Sequence, residues 1–199
     1  MLSIPTLDIK LFQIVLLHGC SGVGKTKLVQ LIAEGEGWNF AAIKGSDIYN
    51  KYLGESEQSV KKLFDEAREA QPCVLFLDEA EGILSSRVTS NDADNGSSLR
   101  VKTEFLEHIQ NVENSTDNIL IVLASNWPGR LDEAIVKRAG LHLHLELPQP
   151  EDMAEMIKTW LNDSQFEHEI SDHFLRSFSR ELENYSFRYR NNVLIFQRK

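Results

Sequence analysis

The 199-residue sequence predicts an α/β fold: a five-stranded parallel sheet between two layers of helices, followed by a smaller helical piece. Three observations carry this. Short apolar runs of strand length alternate with longer stretches of helical spacing. The runs at residues 11–17, 73–77 and 119–124 are apolar almost throughout, as strands buried on both faces are. A glycine-rich turn follows the first run directly and opens a helix.

Taken in order, residues 11–17 give the first strand, about 25–34 a helix, and 38–43 the second strand. Ser46 can cap a short helix ending near Asn50. Ser56 caps a longer one, in which Val60, Leu63, Phe64, Ala67 and Ala70 share a face. Pro72 stops that helix, and 73–77 is the third strand. Residues 85–98, rich in Ser, Asn, Asp and Gly, read as a mobile loop, and helical spacing returns over 99–109. Strands follow at 119–124 and 142–147. Pro148 and Pro150 mark a boundary. Residues 1–150 are therefore expected to form a large domain. Residues 151–199 are expected to form an incomplete small helical one, with amphipathic helices near 151–161 and 170–182.

Composition narrows the function. At 42% hydrophobic and 26% charged the chain reads as soluble and able to bury a core. A net charge of −9 argues against nucleic acid as a partner, because phosphate neutralisation needs clustered Lys and Arg. Basic residues cluster only at the end, from Arg188 to Lys199. No run is apolar for the length of a membrane helix, and residues 1–10 lack the pattern of a signal peptide. No membrane insertion and a cytoplasmic location are expected. Cys20 and Cys73 are then expected as free thiols.

Two motifs carry chemistry. Gly19-Cys20-Ser21-Gly22-Val23-Gly24-Lys25-Thr26 matches G-x-x-x-x-G-K-[ST] between a strand and a helix. Such a loop, a P-loop, turns backbone N–H groups inward around a β-phosphate, and the helix N-terminus adds positive potential. Lys25 would reach the β- and γ-phosphates, and the Thr26 hydroxyl would coordinate Mg²⁺. In Cys73-Val74-Leu75-Phe76-Leu77-Asp78-Glu79 an apolar strand delivers two acids at its C-terminal end. Asp78 can hold the magnesium through water, and Glu79 can act as general base toward the attacking water. The fold class is thus a P-loop NTPase sandwich.

The segments between and beyond these motifs resemble the AAA family of protein-remodelling ATPases, from about Leu11 to Trp160. The likeness leans to the clade of katanin, spastin, fidgetin and the ESCRT-III-dismantling ATPase, through Leu99-Arg100-Val101-Lys102-Thr103-Glu104-Phe105-Leu106. Lys44-Gly45-Ser46-Asp47 through Glu57 looks like the first pore-loop region, so the resemblance implies that Lys51, Tyr52 and Leu53 grip a substrate polypeptide. Ile121-Val122-Leu123-Ala124-Ser125-Asn126 looks like the sensor-1 strand, which implies that Asn126 orients the lytic water. Lys137 and Arg138 stand at the arginine-finger positions. A finger acts on the neighbour's ATP, so the resemblance implies a homo- or hetero-oligomeric ring that hydrolyses ATP, with Mg²⁺, to remodel protein.

The sequence also departs from that pattern. Cys20 and Ser21 replace two prolines. Lys137 lacks the planar guanidinium fork. Ala139-Gly140 replaces the usual continuation, and beyond Glu183-Asn184-Tyr185-Ser186 the lid match fades. Measured against the family the chain reads as truncated at both ends. These departures give a second expectation its ground: a nucleotide-binding but weakly active or regulatory subunit.

Overall fold

Five strands, β1 (Ile14–Gly19), β2 (Asn39–Lys44), β3 (Cys73–Asp78), β4 (Ile119–Ser125) and β5 (Leu141–Leu145), form one sheet in the order β2-β3-β4-β1-β5. The structure is a computed structural model describing residues 12–50, 56–86, 95–163 and 171–181. The sheet is parallel, with β3 at the register Lys44↔Asp78 toward β2 and Leu77↔Leu123 toward β4, and β1 at His18↔Ser125 toward β4. Parallel pairs need crossovers, and helices supply them: α1 (Lys25–Glu36), α2 (Gly45–Asn50), α3 (Ser56–Glu69), α4 (Glu81–Leu84), α5 (Asn95–Glu113) and α6 (Glu133–Arg138).

The chain divides into two units. One runs up to His18 and from Lys25 to His144; the other holds Gly19–Gly24 and the chain from Leu145 onward. In the first unit Ile14 and Leu16 of β1, Leu75 and Leu77 of β3 and Ile121 and Leu123 of β4 share a core with Val60 and Phe64 of α3 and Phe105 and Ile109 of α5. The intervening Val15, Leu17, Val74, Phe76 and Val122 are buried as well, while α1 packs against β2, β3 and β4. Burial on both faces is why these strands read as continuous apolar runs rather than alternating ones. Each such side chain contributes about 1.5–3 kcal/mol by leaving water.

The α3 face expected from the sequence is the one buried: Val60, Phe64 and Ala67 are almost inaccessible, and Leu63 packs at the edge. Other elements differ. Strand β1 starts at Ile14, later than expected: Phe12 and Gln13 are described and lie outside the strand, while Leu11 is outside the described residues. Helix α5 begins at Asn95, inside the stretch read as loop, and continues to Glu113. Strand β5 is displaced toward the N-terminus of the expected 142–147. The four-residue α4, the 3-10 turn Pro128–Arg130 and α6 were not expected as elements. Asp132 caps α6 by accepting from the Ala134 N–H at 2.9 Å. Lys102 of α5 bonds the other Asp132 oxygen, and this bond foremost, with the cap, holds the Asp132 carboxyl below its usual range.

In the second unit, α7 (Pro150–Asp163) and α8 (Asp172–Glu181) pack through Met153, Ile157 and Leu175, with Met156 and Phe178 alongside. Pro150 opens α7, where a missing N–H costs nothing. Ser171 precedes α8 and accepts from the Phe174 N–H at 3.3 Å. Gly19 also belongs to this unit. Its φ of +149° and a Cβ position only 2.2 Å from the Leu145 carbonyl oxygen leave room for no side chain. No helix among the described residues is long and apolar enough to cross a membrane.

Candidate active site

The parallel register brings the C-terminal ends of β3 and β4 to one edge of the sheet, the edge at which open α/β sheets carry their sites. Asp78 ends β3, and Asn126 follows the last residue of β4. Lys25 and Thr26, the first residues of α1, meet them there. Lys25 is 7% exposed, and its ammonium donates to Asn126 Oδ1 at 2.7 Å. The Thr26 hydroxyl donates to Asp78 Oδ2 at 3.3 Å, and the Glu79 N–H donates to Asp78 Oδ1 at 3.0 Å. The sequence-predicted Lys25, Thr26, Asp78 and Asn126 are thus joined by hydrogen bonds, with Glu79 adjacent.

Glu79 is exposed and has φ +52°, the left-handed region that costs a non-glycine residue about 1–2 kcal/mol. What holds it there is on both sides. The Ala80 N–H donates to the Ala124 carbonyl at 2.9 Å, and the Gly82 N–H donates back to the Glu79 carbonyl at 2.8 Å. Across from that carbonyl stands Gly45, where a Cβ would come within 2.7 Å of the Glu79 oxygen. This left-handed residue directly follows Asp78, the last residue of β3.

The loop Gly19–Gly24 joins β1 to α1 along the chain. Gly22 and Gly24 have φ of +82° and +98°, backbone that L side chains rarely adopt. Cys20 and Ser21 are exposed, and Val23 is buried. Arg138, at the end of α6, is not part of the cluster around Lys25. Its guanidinium Nη2 donates to Gln110 Oε1 at 3.4 Å, and Nε lies 3.7 Å from Glu113 Oε2, both on α5. Lys137 pairs with Glu133 at 2.7 Å, one turn back on its own helix and largely in solvent. Lys51, Tyr52 and Leu53 lie outside the described residues.

Two features escaped sequence reasoning. Glu81 of α4 accepts from the Asn126 N–H at 3.3 Å through Oε1, while its Oε2 is buried and has no hydrogen-bond partner among the described residues. The available signal was an acid three positions beyond Asp78, which has no meaning until the fold sets α4 beside β4. The second is a ring stack between His18 at the end of β1 and His144 of β5, centroids 4.8 Å apart. Burial first, then the charges of His144, His142 and Lys25, lower the His18 pKa.

A sheet in the order β2-β3-β4-β1-β5, with the glycine loop after β1 and the acids after β3, is that of a P-loop NTPase. Residues 15–147 match the profile described as "ATPase family associated with various cellular activities (AAA)", and the chain belongs to that family. It is similar to vacuolar protein sorting-associated protein 4A of Homo sapiens, 35% identical over 173 residues, which are 86% of this chain and 38% of that protein. It is also similar to vacuolar protein sorting-associated protein 4 of Dictyostelium discoideum, 41% identical over 144 residues, 72% of this chain and 32% of that one. Fidgetin-like protein 1 of Caenorhabditis elegans is 36% identical over 173 residues, 86% of this chain and 28% of its own. The chain thus spans well under half of each relative. The crystal structure of the FIGL-1 AAA domain in complex with ADP superposes with a TM-score of 0.76 at 33% identity, over 88% of this chain and 56% of that one.

Proposed function

We propose that this chain binds ATP with Mg²⁺ and hydrolyses it within a ring of AAA subunits, homo- or hetero-oligomeric, and that the ring uses hydrolysis to remodel protein. The observation that carries the reading is the joined set Lys25–Asn126 and Thr26–Asp78 at the strand edge, beside Glu79. Lys25 is suited to the β- and γ-phosphates once ATP replaces Asn126 as its partner. Thr26 Oγ1 and Asp78 Oδ2 are neighbouring hard oxygen atoms that would hold Mg²⁺, Asp78 through water; when bound, the ion supplies charge neutralisation at the phosphates. Gly19, Cys20, Ser21, Gly22, Val23 and Gly24 would supply the backbone cradle.

In the reaction, water oxygen forms a bond to the γ-phosphorus and the bond to the β–γ bridging oxygen breaks. Glu79 accepts the water proton, Asn126 orients the water, and ADP leaves with the electron pair. Arg138 acts across a subunit boundary on the neighbour's ATP, with Lys137 as a weaker companion. Lys51, Tyr52 and Leu53 would face the pore and hold substrate. Residues 1–150 would form the large ATPase subdomain and 151–199 part of the helical lid, in a cytoplasmic protein. The relatives named for vacuolar protein sorting, together with the net charge of −9, favour protein over nucleic acid as the substrate.

The test is magnesium-dependent ATP turnover by the parent chain and by Glu79→Gln. The variant should still bind nucleotide but lose roughly 10²–10⁴-fold in turnover, since the base is gone and the cradle remains. Turnover by Glu79→Gln at the parent rate would take Glu79 out of this role. A parent that binds ATP yet hydrolyses none at any concentration would leave only the binding-subunit reading.

A further inference from the structure

Asn126 leaves β4 just where the sheet ladder ends, so its backbone N–H needs a partner from elsewhere. Side-chain oxygens accept from both N–H groups of this turn. The Trp127 N–H donates to Ser125 Oγ at 3.0 Å, and the Asn126 N–H donates to Glu81 Oε1 at 3.3 Å. The Asn126 side chain in turn accepts from Lys25 at 2.7 Å. The contacts therefore run as one chain, Glu81 to the Asn126 backbone, Asn126 Oδ1 to Lys25. Glu81 itself is anchored at the start of α4, whose Leu84 and Ile83 are buried in the main core. Its other oxygen, Oε2, is buried and has no hydrogen-bond partner among the described residues.

We propose that Glu81 is a positioning residue for Asn126. By fixing the backbone of residue 126 it aims the side-chain amide at the point where the Lys25 ammonium now lies. That point is where the γ-phosphate and the attacking water would meet the amide once ATP draws Lys25 away. The proposal rests on the ATP-hydrolysis reading above, and it predicts a particular division of labour. Glu81 should matter for turnover and not for holding nucleotide, because Lys25, Thr26 and the loop bind the phosphates without it. What it supplies is one hydrogen-bond acceptor, so the amide of Gln should replace its carboxylate.

Steady-state ATP hydrolysis and ADP affinity would be measured on the full chain for the parent, Glu81→Met, Glu81→Gln, Asn126→Ala and the double variant Glu81→Met with Asn126→Ala. Met fills the volume of Glu without an acceptor. Glu81→Met and Asn126→Ala are each expected to lower kcat about 10–100-fold, with KM and ADP affinity within about twofold of the parent. Glu81→Gln should stay within about threefold of the parent. The double variant should be no slower than Asn126→Ala, since both changes break one chain of contacts. Parent-like kcat in Glu81→Met, equal losses in the Met and Gln variants, or losses that multiply in the double variant would each overturn the proposal. If Glu81→Met fails to fold, hydrogen exchange at the Asn126 amide of the parent decides. Protection supports the proposal, and exchange at the open-chain rate removes it. A parent without ATP turnover sinks the functional reading and this proposal together, whereas a working parent with an unaffected Glu81→Met sinks this proposal alone.

Discussion

The strand edge around Lys25 and the tip of α6 carry the two halves of the proposed catalytic set, and they are built in opposite ways. At the strand edge the groups are locked. Lys25 is nearly buried, Asp78 spends both oxygens on Thr26 and on its own chain, and the Glu79 backbone is pinned in a left-handed turn. At the tip of α6, Arg138 is about a third exposed and is held only by Gln110 at 3.4 Å and Glu113 at 3.7 Å among the described residues, and Lys137 and Glu133 are both mostly in water. Ion pairs of this kind contribute about 0–1 kcal/mol each. A group that must meet phosphates in its own subunit can be fixed by its own core. A group that must meet a neighbour's phosphates has to be exchangeable, and weak pairs on a helix end permit that.

The largest effect expected from breaking this contrast falls on Arg138. Arg138→Ala should depress turnover of the assembled protein by about 10³-fold while nucleotide affinity of the isolated subunit stays near the parent value. Lys137→Ala should cost less than about tenfold, since an ammonium is a poor substitute for a planar fork. Mixing the inactive Glu79→Gln and Arg138→Ala proteins should restore part of the activity, because some interfaces then pair an intact Glu79 with a neighbour's intact Arg138. If sedimentation shows mixed assemblies and activity stays absent, Arg138 does not act in trans and the α6 tip is only a charged helix end.

A smaller effect tests the rigidity of the other half. Gly45 heads α2, and a methyl group there would meet the Glu79 carbonyl at 2.7 Å and Ile83 Cγ1 at 3.4 Å. The carbonyl cannot retreat easily, because it accepts from Gly82 and the next N–H is tied to Ala124. Gly45→Ala should therefore cost roughly 1–3 kcal/mol of stability. It should also slow hydrolysis several-fold at unchanged ADP affinity, by shifting Glu79 and sparing the phosphate contacts. Denaturant melts and ATPase assays on the same sample would check both; an unperturbed turnover would mean the Glu79 turn is softer than its contacts imply.

What the sequence disclosed, and what it hid, follows the same division. The strands were legible because both faces of β1, β3 and β4 are buried, so Ile14 to Leu17 or Cys73 to Leu77 carry no polar interruption. Lys25 and Thr26 were legible because a phosphate loop needs those residue types at a fixed spacing, and Asp78 because it ends an apolar strand; the structure bonds Thr26 to Asp78 and Lys25 to Asn126. Helix α4 was not, since four residues cannot display a helical period. The first turn of α5 was hidden by Asn95, Gly96, Ser97 and Ser98, weak helix formers that tertiary packing of Val101 and Phe105 overrides. Glu81 and the His18–His144 stack are long-range pairings, and no local pattern encodes which strand ends will meet.

The smallest expected effect sharpens the comparison by asking whether the locked edge stays locked in acid. His18 ends the apolar part of β1 directly before the glycine loop, and its ring lies flat on His144 of β5. Burial, then the charges of His144, His142 and Lys25, hold its pKa below the ordinary 6.5. Between that lowered value and 6.5 the unfolded chain binds more protons at this position than the folded one. Stability from neutral His18 is therefore fully present above about pH 6.5 and is lost as pH falls through the folded value. Thermal melts in matched ionic strength should show Tm declining from pH 7 toward 5, by about 2–4 °C for each kcal/mol involved. His18→Phe retains a ring to stack on His144 and removes the titration, so its melts should decline less steeply over the same interval. A slope as steep in His18→Phe as in the parent would assign the acid sensitivity to other groups. It would leave the His18–His144 stack a packing contact with no bearing on how firmly β1 holds the start of the loop.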